Sequence, residues 1–184
     1  MSRKVMNTVN SVAIIGAGNM GSGIAQKSAQ EQFNVQMVDR EKQWVDRGEK
    51  IINDFLEEAI QRRIFKPEKV EEIKSRITGV VGTENVAPDT DLVIEAVFED
   101  FNIKKDVFNI LDRVCGDKTI LASNTSSLSV NELAKATGRP DKFVGLHFFY
   151  HPAKNRLIEI SKCGLVILCL VIELCQHFSV NSLK

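Results

Sequence analysis

The sequence predicts an α/β protein built on a doubly wound, mostly parallel sheet. Runs rich in valine, isoleucine and leucine alternate with amphipathic segments from residue 12 to residue 160. The runs are apolar on both faces, which is typical of parallel strands covered by helices on each side. A glycine-rich turn joins the first run to the first amphipathic segment. Together these observations indicate successive strand–helix–strand units.

The predicted elements follow one another along the chain. The predicted strands are Val12–Ile15, Val35–Val38, Ile77–Val81, Leu92–Val97, Thr119–Ala122, Phe143–Phe149 and Arg156–Ile160. The predicted helices are Gly21–Gln32, Lys42–Arg63, Pro67–Arg76, Ile103–Val114 and Val130–Thr137. Residues 1–160 therefore form one predicted domain, and residues 161–184 form a tail to which the pattern assigns no structure or function.

The second and third helices are predicted to form a hairpin inserted before the third strand. Apolar residues recur at helical spacing in the second helix, with charged residues between them. These residues are Ile51, Ile52, Phe55, Leu56, Ala59, Ile60 and Ile64. Pro67 then suits the first turn of a new helix, where no backbone N–H is needed.

Composition bears on the partners that the protein can have. Of its 184 residues, 43% are hydrophobic, and Lys+Arg and Asp+Glu balance at 24 each. The chain therefore lacks the excess of positive charge that favours binding to nucleic acid or to an anionic membrane surface. The longest apolar run, Gly164–Ile172, has nine residues, about half of the roughly 20 that span a membrane. We therefore expect no nucleic-acid and no membrane partner.

The cysteines and the N-terminus predict a cytoplasmic protein. The cysteines form no CxxC pair and have no histidine at zinc-binding spacing, so we expect reduced, mostly buried thiols and no metal site. They are Cys115, Cys163, Cys169 and Cys175. The first strand begins within a dozen residues, which leaves little room for a targeting peptide.

The stretch IIGAGNMGSGIAQ contains a GxGxxG pattern at Gly16, Gly18 and Gly21. The pattern alone is weak, but here it follows a strand and opens a helix. Gly16 permits the tight turn, Gly18 lets the backbone approach a pyrophosphate, and Gly21 lets the helix pack against the strand. Free N–H groups at the helix start, around Asn19 and Met20, then face the phosphates. The alternative is a glycine turn without a ligand.

An acidic residue, Asp39, ends the second strand 18 residues after the last of these glycines. In a dinucleotide-binding unit of the Rossmann type such a carboxylate accepts hydrogen bonds from the adenosine ribose. The same charge repels a 2′-phosphate, so the sequence favours NAD over NADP. The neighbouring Arg40 could soften that preference.

Ligands of open α/β sheets bind beyond the carboxyl ends of the strands. Glu99 and Lys104 follow the fourth strand, and could contact a cofactor or form a solvated helix start. After the fifth strand, Ser129 and Glu132 form a predicted capping box. Ser126 remains free to face a ligand or to serve in a simple turn.

His147 and Glu159 are polar residues inside the two last apolar strands. A lone histidine in an apolar strand is more often a satisfied core residue than a catalyst. If the strands form an antiparallel hairpin with Phe149 opposite Leu157, then His147 lies opposite Glu159 and their Cβ atoms are about 5 Å apart. A histidine oriented by a buried carboxylate at the ligand edge is the arrangement that a general base needs.

The sequence resembles the N-terminal, NAD-binding domain of the L-3-hydroxyacyl-CoA dehydrogenase family. The stretches that carry the resemblance are IIGAGNMGSGIAQ, DLVIEAVFED, ILASNTSSLSVNELA and VGLHFF…LIEI, spread over residues 11–160. The resemblance implies oxidation of an (S)-3-hydroxyacyl-CoA to the 3-ketoacyl-CoA with NAD, a step of the fatty-acid β-oxidation type. It also implies an acyl-CoA thioester as the partner molecule.

The family's residue roles are carried over to matching positions. They imply that His147 is the catalytic base, that Glu159 is its partner and that Ser126 contacts the substrate oxygen. They imply that Glu99 and Lys104 contact the cofactor and that Asp39 binds its ribose.

Two features depart from the family pattern. Many members carry HFFNP where this chain has HFFYHP, so Tyr150 replaces an asparagine and His151 is additional. We expect His151 to occupy an exposed loop position without a role. The family also has a helical C-terminal domain that completes the substrate cleft and forms a dimer, and residues 161–184 do not match it. The expectation is an N-terminal domain alone, with a homodimer or a complex with a separate C-terminal-domain chain both open.

Three functions compete. The first is an NAD-dependent 3-hydroxyacyl-CoA dehydrogenase, and the second is a truncated dinucleotide-binding module with little or no catalysis by itself. The third is another Rossmann dehydrogenase acting on a small hydroxy acid, which the His/Glu pair disfavours because such enzymes usually rely on a lysine.

Overall fold

The computed structural model describes residues 9–155, 157–162 and 181–183. These residues form an eight-stranded sheet in the order β3-β2-β1-β4-β5-β6-β7-β8. The strands are β1 (Ser11–Ile15), β2 (Asn34–Asp39), β3 (Ile77–Val81), β4 (Leu92–Glu95), β5 (Ile120–Ser123), β6 (Phe143–Phe148), β7 (Leu157–Lys162) and β8 (Asn181–Leu183). The helices are α1 (Asn19–Gln30), α2 (Lys42–Gln61), α3 (Pro67–Ser75), α4 (Phe101–Val114) and α5 (Val130–Ala134).

The first six strands are parallel to one another, in the strand order 3-2-1-4-5-6 of a dinucleotide-binding sheet. β7 is antiparallel to β6, and β8 is parallel to β7. The predicted α/β class, the mostly parallel sheet and the helical hairpin formed by α2 and α3 are confirmed. Every predicted strand and helix is present, with bounds that differ by up to three residues.

Local hydrogen bonds explain where the bounds differ. α4 begins at Phe101 because the Asp100 carboxylate accepts hydrogen bonds from the N–H groups of Asn102 and Ile103. α2 stops at Gln61, and the left-handed φ of 58° at Arg63 turns the chain away from the helix. The Ser129 hydroxyl caps α5 as predicted. Glu132 does not complete the capping box, since its carboxylate pairs with Lys135.

The core consists of two apolar layers, one on each face of the sheet. One layer packs α1, α2 and α3 against the sheet, and its members include Ile24, Leu56 and Ile73. The other packs α4 and α5 against the opposite face around Phe108 and Leu133. Both layers contain strand residues that are at most 2% exposed, such as Ile14 and Val93. The sheet is therefore covered on both faces, as its apolar strands predict.

Part of the predicted tail and three cysteines lie outside the described residues. Cys163, Cys169, Cys175 and the apolar run Gly164–Ile172 belong to this group. Cys115 is a buried free thiol, and its burial raises its pKa to about 11. Within the described ranges, no helix is long and apolar enough to cross a membrane.

Candidate functional site

The glycine-rich turn is an open backbone cradle between β1 and α1. Gly16 has a φ of 104°, and a Cβ there would lie 2.7 Å from the Ala96 carbonyl oxygen. A Cβ on Gly21 would lie 1.7 Å from the carbonyl oxygen of Gly16, so only glycine fits where α1 meets the turn. A Cβ on Gly18 would meet nothing within 4 Å. The space above Gly18, at the N-terminus of α1, is therefore free for a ligand.

Asp39, at the end of β2, closes one side of this cradle. One of its carboxylate oxygens accepts a hydrogen bond from the Ala17 N–H at 2.8 Å, and the other accepts one from the Arg40 N–H at 2.7 Å. The carboxylate is thereby fixed to the glycine-rich turn. The Arg40 side chain lies beside Glu41 at the rim of the same site and is 78% exposed.

A cavity of about 520 Å³ extends from the turn along this edge of the sheet. Its size falls within the usual range of small-molecule and cofactor sites. Apolar side chains form most of its wall, and Gly16, Gly18 and Asp39 form one end. Those apolar residues are Ile15, Trp44, Ala96, Val97, Phe98, Ile103 and Val107. Phe98 and Ile103 are 79% and 45% exposed, so part of this apolar wall is open to solvent.

Beside the cavity, Glu95 and Lys104 form an ion pair that is buried almost completely. Their side chains are 0% and 1% exposed, and the Lys104 ammonium donates to one Glu95 oxygen at 2.6 Å. The same oxygen accepts from the Val97 N–H at 2.8 Å, and the other accepts from the Ser123 hydroxyl at 2.6 Å. Lys104 also contacts Glu99 at 3.1 Å. The predicted residue Lys104 thus lies below the surface of the site.

Glu99 joins this ion pair to residues 124–128, which we call the Ser126 loop. One Glu99 oxygen accepts hydrogen bonds from the Thr125 hydroxyl at 2.5 Å and from the N–H groups of Ser126 at 3.1 Å and Ser127 at 3.3 Å. Desolvation acts to raise the pKa of Glu99, but the Thr125 hydroxyl and Lys104 outweigh it and hold the pKa at about 2. Glu99 is therefore a carboxylate at neutral pH.

His147 and Glu159 face each other across β6 and β7. The observed register pairs His147 with Glu159, and the Phe149 N–H lies 3.5 Å from the Leu157 carbonyl oxygen, so the predicted register is confirmed. Nδ1 of His147 lies 3.3 Å from a Glu159 carboxylate oxygen. The expectation of a buried carboxylate is wrong, because the Glu159 side chain is 53% exposed. Glu159 lies on β7, the second strand from one side of the sheet, and its side chain is open to solvent there.

The Ser126 loop is also connected to the strand that carries His147. The Asn124 side-chain oxygen accepts a hydrogen bond at 2.8 Å from the N–H of Phe148, the residue after His147. The Asn124 N–H in turn donates to the Glu95 carbonyl oxygen at 2.8 Å. Neighbouring strands therefore bring the loop of Ser126 and the strand of His147 to the same edge of the sheet.

Three comparisons agree on the family. The family model described as "3-hydroxyacyl-CoA dehydrogenase, NAD binding domain" matches residues 11–164. The chain belongs to this family. It is 40% identical over 149 residues to a 3-hydroxybutyryl-CoA dehydrogenase of Clostridioides difficile, covering 81% of this chain and 53% of that protein. It is 37% identical over 159 residues to the mitochondrial hydroxyacyl-coenzyme A dehydrogenase of Sus scrofa, covering 84% and 51%.

A solved structure shows the same fold. The (S)-3-hydroxybutyryl-CoA dehydrogenase PaaH1 from Ralstonia eutropha superposes with a TM-score of 0.91 at 31% identity, covering 96% of this chain and 63% of that one. The chain spans about half the length of the curated relatives named above. The resemblance to the NAD-binding domain of 3-hydroxyacyl-CoA dehydrogenases is thereby confirmed.

The residues of the turn and the cavity fit NAD, the cofactor of this family's domain. The cradle is open above Gly18, and a Cβ there would occupy it. N–H groups at the start of α1 face the same space, where they can receive a pyrophosphate. Asp39 supplies acceptors at the place where the ribose of a dinucleotide lies in such folds. Among the described residues, no cluster of His, Cys, Asp and Glu could hold a metal ion.

His151, the additional residue of this chain's HFFYHP stretch, packs against the helices. The expectation of an exposed position is wrong, because its ring stacks on Phe55 of α2 with centroids 4.7 Å apart. Lys154 covers the same phenyl ring, its ammonium 4.8 Å from the centroid. Burial, and secondarily the Lys154 charge, lower the pKa of His151. Tyr150 is 71% exposed.

Sequence reasoning missed Glu95. Glu95 is a carboxylate in the apolar strand LVIE, and a carboxylate is costly to bury without a partner. The same signal singles out Glu159, so it could have identified Glu95 as well.

Proposed function

We propose that this chain carries the cofactor and catalytic half of an NAD-dependent oxidation of (S)-3-hydroxyacyl-CoA to 3-ketoacyl-CoA. One observation supports the proposal above the others: the facing pair His147–Glu159 lies at the same sheet edge as the glycine cradle and the Ser126 loop. The family match and the names of the relatives favour the hydroxyacyl-CoA class of substrate. The step is of the fatty-acid β-oxidation type, in line with a fatty acid oxidation complex subunit alpha among the relatives.

In this proposal His147 is the general base. Because Nδ1 faces the Glu159 carboxylate, Nδ1 carries the proton and Nε2 offers its lone pair to the substrate hydroxyl. Glu159 fixes this tautomer and stabilises the imidazolium that forms when the hydroxyl proton is taken. General base catalysis of this kind contributes roughly 10²–10⁴-fold to the rate. In the reverse direction the imidazolium returns the proton to the developing alkoxide.

Ser126 and the cofactor residues bind and orient the reactants. The Ser126 hydroxyl is exposed and makes no hydrogen bond to another described residue, so it can donate to the substrate oxygen. Gly16, Gly18, Asn19, Met20 and Gly21 would receive the pyrophosphate, and Asp39 the adenosine ribose. Bound NAD supplies the nicotinamide that accepts the hydride. Glu99 and Lys104, which follow the fourth strand, stay the proposed cofactor contacts, and the 1% exposed Lys104 would act through Glu99.

The remaining expectations are part of the same proposal. The dinucleotide-binding domain is residues 1–160, the small-molecule partner is an acyl-CoA thioester, and the location is cytoplasmic. A homodimer, or a complex with a separate chain that supplies the second half of the relatives, would complete the substrate cleft.

A dinucleotide-binding module without catalysis is the second candidate. The 53% exposure of Glu159 favours it, because a general base works best where closure excludes water.

The two candidates separate in one assay of acetoacetyl-CoA-dependent NADH oxidation, run alone and with the C-terminal half of a curated relative added. Stabilisation by NADH, seen as a rise in melting temperature, shows that the protein is folded and binds the cofactor. Turnover in either mixture supports the dehydrogenase. Stabilisation without turnover in both mixtures rejects it and leaves the binding module.

A further inference from the structure

The buried ion pair Glu95–Lys104 lies behind the Ser126 loop, and neither of its side chains touches the substrate in the chemistry proposed above. Both charges are withdrawn from water, and two charges buried in this way are often no more stable than a well-packed apolar pair. Four hydrogen bonds nonetheless satisfy the pair: Lys104 donates to Glu95 and to the Val97 carbonyl oxygen, and Glu95 also accepts from the Val97 N–H and the Ser123 hydroxyl. The arrangement therefore fixes positions more than it adds stability.

A chain of contacts links the middle of the sheet to the Ser126 loop. Glu95 is held by the Ser123 hydroxyl on β5 and holds the Lys104 ammonium at 2.6 Å. Lys104 holds one oxygen of Glu99 at 3.1 Å. The other oxygen of Glu99 receives the N–H groups of Ser126 and Ser127. The backbone that presents the Ser126 hydroxyl is thus tied to Glu95 through two intervening side chains.

We propose that Glu95 is a positioning residue for the Ser126 loop: it fixes Lys104, Lys104 fixes Glu99, and Glu99 fixes the loop backbone. Lys104, at 1% exposure, is then a second positioning residue that reaches the reactants only through Glu99. The consequence for catalysis rests on the proposed function, in which Ser126 contacts the substrate oxygen.

The loop has a second anchor, which makes its position relevant to His147. Asn124 accepts a hydrogen bond from the Phe148 N–H on the strand of His147. Glu95 and Asn124 therefore set the spacing between the serine and the histidine that would meet the same substrate oxygen. A displacement of about 1 Å in such a constellation can cost about 10²-fold in rate.

The test is the variant Glu95→Gln, which keeps the shape of the side chain and removes its charge. We expect the amide hydrogens of Ser126 and Ser127 to exchange at least tenfold faster by NMR, with exchange in β4 and β5 unchanged. In the turnover assay kcat should fall by about 10²-fold. Faster loop exchange reflects the loss of the positioning contacts and does not depend on turnover.

A matched control separates this role from general stability. Asp112 lies eight residues further along α4 and pairs with Arg139 at 2.7 Å, about 12 Å from Lys104 at 1.5 Å per residue. Asp112→Asn should lower the melting temperature but leave loop exchange and kcat within twofold of wild type. Loss of kcat in Asp112→Asn equal to that in Glu95→Gln would overturn the proposal.

The double variant Glu95→Gln/Lys104→Gln guards against failure of the single variant to fold, because it leaves no uncompensated buried charge. It should keep the loop fast-exchanging, since Glu99 has lost its cation. Wild-type loop exchange in whichever of the two variants folds would overturn the proposal. If the wild-type protein shows ordered loop amides but no turnover, the proposed function fails, while loop exchange in the variants still decides whether Glu95 positions the loop.

Discussion

Two alanine substitutions in the glycine-rich turn should have opposite effects on stability and on cofactor binding. At Gly21 a Cβ would lie 1.7 Å from the Gly16 carbonyl oxygen, whereas real Cβ atoms stay beyond 3.0 Å. At Gly18 the backbone has φ −74° and ψ −170°, which alanine adopts without strain, and a Cβ meets nothing within 4 Å. The first variant tests packing, and the second tests whether the cradle holds a ligand.

The magnitudes follow from these contacts. Gly21→Ala must move backbone, so we expect a loss of about 3 kcal/mol or more of unfolding free energy. For a domain of this size that lowers the melting temperature by about 6–12 °C. Gly18→Ala should leave stability within about 0.5 kcal/mol. Its methyl group would occupy the space of the pyrophosphate, and we expect NAD affinity to fall at least tenfold, about 1.4 kcal/mol.

Both quantities can be measured on the same samples. Thermal unfolding gives stability, and the fluorescence of Trp44, the single tryptophan of the chain, gives NAD binding because Trp44 lines the cavity. Wild-type NAD affinity in Gly18→Ala would refute the assignment of the cradle to the pyrophosphate. A wild-type melting temperature in Gly21→Ala would refute the packing argument.

Three further substitutions test charges around the site. Asp39→Asn removes the charge that repels a 2′-phosphate, so the ratio of NADP to NAD affinity should rise at least tenfold in binding titrations; an unchanged ratio would argue against ribose recognition by Asp39. The lowered pKa of His151 means that the unfolded chain binds the histidine proton more readily than the folded chain, so stability is lost as pH falls through 6.5. Urea unfolding of His151→Gln should show a smaller loss of unfolding free energy between pH 7 and 5 than the wild type shows. An equal loss would contradict the lowered pKa. The pKa of about 2 at Glu99 gives stability that is present above pH 4.5 and lost as pH falls towards 2. Glu99→Gln should therefore lose on the order of 1–2 kcal/mol of unfolding free energy at pH 7, allowing for the 36% exposure of the side chain. An unchanged stability at pH 7 would contradict the hydrogen-bond network around Glu99.

The sequence predicts the order of the elements and the register of the last hairpin because both depend on local pattern. Apolar runs and helical periodicity locate the strands and helices. The register is conditional on Phe149 lying opposite Leu157, and in that register the two polar residues His147 and Glu159 share a face. The observed pairing is the predicted one.

Features that depend on neighbours distant in sequence are beyond this reasoning. The side chains of Glu95 and Glu159 both interrupt apolar strands, yet one is 0% and the other 53% exposed, because β4 is central in the sheet and β7 lies near one edge. From the sequence we expect Glu159 to be buried, whereas the structure buries Glu95, for which we make no prediction from the sequence. The stacking of His151 on Phe55 joins residues 96 positions apart, and no periodicity connects them. Lys104 resembles a surface residue until its partner Glu95 is known.

The central claim is that His147 is a general base in a hydroxyacyl-CoA dehydrogenase site, and kcat/KM for acetoacetyl-CoA in His147→Gln tests it most directly. Measured with NADH and compared with wild type in the more active of the two mixtures, kcat/KM should fall by about 10²–10⁴-fold. NADH affinity, followed by Trp44 fluorescence, should stay within twofold. Equal kcat/KM in the variant and the wild type, with NADH binding retained in both, would contradict the claim.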